Sequence, residues 1–154
     1  MSISHRISLH KAALRRKMDA WELLGLLDHP PRLKPEHTRG AMYLGGYAVE
    51  CKLKAALLEH FQLETLEELE DRLGETGERS SLRSARSHDF EYLFHFLPHA
   101  RERLRQNTSK EADYQQCRQW RHLWRYEFRN PTPEDARQFL NAVDAVFLWL
   151  NNNV

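Results

Sequence analysis

Residues 41–58, AMYLGGYAVECKLKAALL, constrain this chain more than any other stretch. The run is apolar along most of its length and reads as a helix facing a core. Yet it carries adjacent glycines, Gly45 and Gly46, and a Glu50/Lys54 pair at i,i+4. A glycine inside a helix costs about 1 kcal/mol relative to alanine, and a charge on a core-facing helix is costly unless paired. A chain that keeps both features needs a very close backbone approach and a fixed polar contact. Exposed, the Glu-to-Lys pair is worth a few tenths of a kcal/mol. Half-buried, it would fix helix packing or meet Arg125 from the loop side. Flanked by Lys54 and Arg125, the Glu50 carboxylate would stay ionised and make a poor general base. A structural or dimer-organising role is therefore expected of the pair.

The rest of the chain reads as helices, with no convincing strand. Helix one spans about 8–27, with Leu14, Met18, Trp21 and Leu24 at spacings of three and four. The loop DHPPRLKP ends it, and Pro35 suits the first turn of helix two, which runs to about Phe61. Thr65–Glu68 is a capping box for a short acidic helix ending near Gly74. The Gly- and Ser-rich stretch GETGERSSLRSARS follows as a loop. Helix three begins near Ser87 or His88 and buries Phe90, Leu93, Phe94 and Leu97, with a kink or restart expected at Pro98. Thr108–Glu111 reads as a second capping box, opening helix four to about Trp124 with Cys117, Trp120 and Trp124 inward. Thr132 caps helix five, with Pro133 first and two acids behind it. Ala136, Phe139, Leu140, Val143, Val146, Phe147 and Leu150 form its core stripe. The expected fold is all-α, an antiparallel up-and-down bundle of four main helices plus a short one.

At 154 residues the chain is expected to be a single domain, 1–154, in which 62–87 is an inserted acidic helix and loop. No apolar run is long enough for a membrane span. Two cysteines, Cys51 and Cys117, are too few for a disulfide framework or zinc knuckle and point to a reducing cytoplasm. Residues 1–18 carry five bases and no acid, as organellar presequences do. The apolar pattern running on through Trp21 to Leu27 favours an ordinary first helix instead. The charge is polarised: 59–78 hold eight acids against Arg72, whereas 79–129 hold eleven bases against six acids. Such polarity suits anion binding or self-association, or two solvated helix faces.

Several of these segments together resemble HEPN domains (higher eukaryotes and prokaryotes nucleotide-binding). The run AMYLGGYAVECKLKAALL resembles the family's signature helix, with Glu50 at its glutamate and Leu53-Lys54-Ala55 at its Leu-Lys-Ala step. The segment SHDFEYLF resembles the His-Asp that opens the third main helix. Trp124-Arg125-Tyr126, before a Pro-containing loop, resembles the Arg-Tyr preceding the last helix. Residues 133–150 resemble that closing helix, so the likeness covers about 10–151. It implies a homodimeric bundle that binds a nucleotide or RNA beside a nucleotidyltransferase-like or defence-system (toxin–antitoxin) partner, with no cofactor. Some family members are RNases whose Arg and His, four to six residues apart, form a composite site across the dimer.

Metal-free RNA cleavage needs a group titrating near neutrality to move the 2′-hydroxyl proton, which suits histidine, and a guanidinium for the phosphorane. Arg83 and His88 have the required spacing but straddle a loop and the start of helix three; His88 could instead cap or pack that helix end. Arg118 and His122 would stand one turn apart on a helix face, as a catalytic pair or a solvated basic face. No histidine follows Tyr126. His95 and His99 have i,i+4 metal spacing, but Pro98 intervenes and no third ligand is identifiable, so no metal is expected. Tyr43 and Tyr47, a turn apart, could stack a base or form a half-buried core edge. Three functions follow: a nucleotide- or RNA-binding module, to which Glu50, Lys54, Arg118, His122, Arg125 and Tyr126 would contribute; a metal-independent RNase toxin using Arg83 and His88; or a structural dimerisation protein.

Overall fold

A computed structural model describes residues 6–75 and 87–154. Among the described residues there is no strand. The described residues form seven α-helices: α1 (Arg6–Leu24), α2 (Thr38–His60), α3 (Leu66–Glu75), α4 (Phe90–His95), α5 (Pro98–Gln106), α6 (Thr108–Cys117) and α7 (Pro133–Asn153). Short 3-10 turns, Pro35–His37 and His122–Tyr126, precede α2 and α7. No helix among the described residues is long and apolar enough to cross a membrane.

α2 is the central element, with most of its residues buried, because α1, α3, α4 and α7 all pack on it. α1 runs antiparallel to it: the Arg6 amide donates to Glu64 O just beyond the end of α2, and the Lys34 amide donates to Leu24 O before its start. α7 starts where α2 starts, with the buried Thr38 hydroxyl donating to Pro131 O at 2.8 Å. Further along, Leu140 and Val143 of α7 lie against Gly45, and Phe147 packs with Cys51 and Ala13. The full α7 stripe read from the sequence, Ala136 to Leu150, is buried.

Local chemistry explains most boundaries. The capping boxes at Thr65–Glu68 and Thr132–Asp135 are both formed. Pro98 cannot continue α4 and becomes the first-turn proline of α5, so the third expected helix is two helices. Four expectations are corrected. α1 stops at Leu24 rather than Leu27, since Gly25 takes φ +83°, where a Cβ would meet Arg32 O. Its buried face is Leu9, Ala13, Ala20 and Leu24; Leu14 (53% exposed) and Met18 (45%) point outward. Small alanines let α1 lie close on α2, and their weak hydrophobic signal was masked by the larger residues one position away. The box at Thr108 is not used: Asn107 is the cap, its Oδ1 accepting from the Lys110 amide, while Glu111 is engaged by Arg101 at 2.6 Å. α6 also ends at Cys117, short of Trp124, so Trp120 and Trp124 stand on non-helical backbone and a 3-10 turn.

Candidate functional site

The Glu50 carboxylate sits inside the protein, 2% exposed, on the α2 face that meets the segment before α4. Lys54 Nζ donates to Oε1 at 2.8 Å, and His88 Nδ1 lies 2.8 Å from Oε2. A carboxylate only accepts, so the His88 proton belongs on Nδ1 and Nε2 is left free. Lys54 is buried too, which makes this an ion pair held in low dielectric with both carboxylate oxygens satisfied. The expectation that Arg125 would close on Glu50 is corrected: the second partner is His88, and Arg125 lies over the Tyr126 ring at 4.9 Å. His88 does not cap α4 either. Asp89 does, accepting from the Glu91 and Tyr92 amides.

Above Glu50, the half-exposed His88 ring stacks on His122, with centroids 4.7 Å apart and planes at 24°. His122 comes from the 3-10 turn and is brought there by Trp120. The indole lies directly against Gly46, where a Cβ would stand 2.1 Å from the ring, and its Nε1–H donates to Tyr43 O at 3.0 Å. Phe90 stacks behind it at 5.4 Å. The close approach that the glycine pair demands is thus made within the chain: Gly46 receives Trp120, and Gly45 receives Leu140.

His122 is pushed below the ordinary imidazole range, first by burial, then by His88 and Arg125, with Glu50 opposing. Charge on the stacked His88 ring disfavours a second charge on His122. The pair opens onto a basic and aromatic rim. Tyr126 (72% exposed) and Phe128 (87%) project with Arg125 and Arg129 against their rings. Arg39 covers Trp124 at 4.8 Å and pairs with Glu127 at 3.2 Å.

The other candidates separate from this centre. Arg118 is not a turn from His122 on one helix, because α6 has ended; it reaches Glu91 at 3.5 Å and Gln115 at 3.1 Å. There it joins buried Arg101, which binds Glu91 and Glu111 and ties α4, α5 and α6 together. Arg83 lies outside the described residues. His95 and His99 fall on separate helices, α4 and α5, so they share no continuous helix face. Among the described residues no three His, Cys, Asp or Glu side chains are grouped to hold a metal. Cys51 is buried and its thiol pushed up to about 11, mainly by burial; buried Cys117 is also raised by burial. Neither is an activated nucleophile.

His88 and His122 are each conspicuous in the sequence as histidines near arginines, but nothing in their 34-residue separation marks them as partners. Trp120, which seats one against the other, reads only as a core aromatic. Compared with known proteins, the chain matches no family model, no curated protein and no solved structure.

Proposed function

We propose that the protein is a HEPN-like up-and-down bundle that binds a nucleotide or RNA and works beside a nucleotidyltransferase-like or defence-system partner. The observation that carries this reading is the rim at 121–129. Exposed Tyr126 and Phe128 offer ring faces to bases, and Arg121, Arg125 and Arg129 offer charge to phosphates. A merely solvated basic loop has no need of exposed aromatics. Binding of fluorescein-labelled RNA by the wild type at low salt, weakened at least tenfold in an Arg125→Ala/Arg129→Ala variant and falling with added salt, is the expected result. Wild-type protein that binds neither RNA nor mononucleotides at low salt overturns the reading and leaves a structural role.

A second reading, metal-independent RNA cleavage, is favoured by the His88–His122 pair. Neutral His122 would take the 2′-hydroxyl proton as the 2′ oxygen attacks phosphorus. His88, held through Nδ1–H by Glu50 and carrying a second proton on Nε2, would give that Nε2 proton to the departing 5′ oxygen as the P–O5′ bond breaks. The products are a 2′,3′-cyclic phosphate and a 5′-hydroxyl. Its spacing from His88 makes Arg83 a candidate for the stabilising guanidinium, and Arg125, whose charge bears on His122, is a second. Cleavage that persists in EDTA and is lost in both His88→Ala and His122→Ala is expected of this reading; RNA bound but intact removes it and leaves binding alone. Homodimerisation belongs to either reading. Its support is the exposed apolar set Ile7, Leu14 and Met18 on α1 with Leu148 on α7, the glycines being occupied within the chain. Light scattering that returns a monomer would remove that part.

A further inference from the structure

The imidazole pair is one end of a longer line of rings. Tyr43 and Tyr47, a turn apart on α2, hold their rings nearly parallel, 8° between planes and 6.3 Å between centroids. Tyr43 lies 6.1 Å from Trp120, Trp120 lies 6.3 Å from His88, and His88 lies 4.7 Å from His122. Five rings therefore follow one another in short steps. The buried Trp120 joins two more open stations, Tyr43/Tyr47 on one side and His88/His122 on the other. Both ends are cationic. The Arg16 guanidinium lies 6.0 Å over the Tyr47 ring. Arg16 and Arg15 share a single carboxylate, Asp19, so that end keeps an excess of positive charge. At the other end stands Arg125. Beneath the line the Glu50 carboxylate is buried and neutralised by Lys54.

Arginine at each end, with half-open rings between, matches a polyanion whose bases present their faces. A duplex hides those faces in its own stack, and a mononucleotide fills one station only. Resting on the nucleotide- or RNA-binding reading above, we propose that this ring line is a track for single-stranded RNA, in which Tyr43, Tyr47 and Arg16 form a second base-binding station apart from His88 and His122. Stacking of this kind tolerates any base, so the track selects strandedness rather than sequence.

The test compares three probes on the full chain by fluorescence anisotropy and competition: an oligouridylate of about eight nucleotides, a blunt RNA duplex, and AMP. The oligouridylate should bind more tightly than either of the others. In a Tyr43→Leu/Tyr47→Leu variant with the wild-type melting profile, its affinity should fall at least about fivefold, the loss of one stacked base. Arg16→Gln, a change at a solvent-facing residue, should weaken the oligouridylate in the same direction and serves if the tyrosine variant does not fold. Oligouridylate affinity unaltered in Arg16→Gln and in any folded tyrosine variant overturns the track but leaves RNA binding standing, as does equal affinity for duplex and single strand. No binding of any probe by the wild type overturns the track together with the reading beneath it.

Discussion

Removing the Glu50 carboxylate would leave the Lys54 ammonium buried beside an uncompensated His88. Breaking one side of a buried pair typically costs about 3–5 kcal/mol, whereas replacing both partners with apolar groups can be nearly neutral. Glu50→Ala is therefore expected to lose stability of that order in urea unfolding, and Glu50→Leu/Lys54→Met to recover most of it. A loss below about 1 kcal/mol for the single variant would mean the pair is effectively solvated. The i,i+4 pairing was legible from residues 50 and 54 alone, because helical spacing puts them together wherever the helix goes. Its other partner was not. His88 lies 38 residues further on, and no local rule favours it over the Arg125 that the sequence suggested.

Helix ends show the same division at the scale of elements. Thr65–Glu68 and Thr132–Asp135 close their boxes, each third-position carboxylate reaching back to the cap amide. At Thr108–Glu111 the pattern is equally good, yet Glu111 is drawn off by Arg101, which holds its carboxyl below the usual range, and Asn107 takes the cap. Asn107→Ala is expected to cost about 1 kcal/mol and Thr108→Ala only a few tenths, measured by thermal or urea unfolding. The reverse order would restore the box to Thr108. The split at Pro98 was foreseeable from the residue itself, since proline cannot donate to the turn before it. The end of α6 at Cys117 was not. Residues 118–124 have a helical composition, and it is the docking of Trp120 on Gly46 that draws them off the helical path.

Across the whole molecule α2 is enclosed on several sides, while α1 and α7 each keep a solvent face that includes Leu14, Met18 and Leu148. Amides in the most buried part of a fold open only with global unfolding. Hydrogen exchange should accordingly be slowest between residues 45 and 58 and faster in α6, which is short and more exposed. Exchange in α6 as slow as in α2 would contradict α2 as the centre of the fold. The sequence alone determined the helical class, the buried stripe of α7, the turn chemistry at Pro35, Pro98 and Thr132, and the need for a close contact at Gly45-Gly46. Those properties depend on spacing and backbone chemistry within a few residues. Tertiary structure decided which face α1 buries, what the glycines receive, and that His88 and His122 meet over Glu50. Such choices depend on packing between segments far apart in the chain, where small residues that print little pattern fix how closely helices approach and therefore which side chains come into reach.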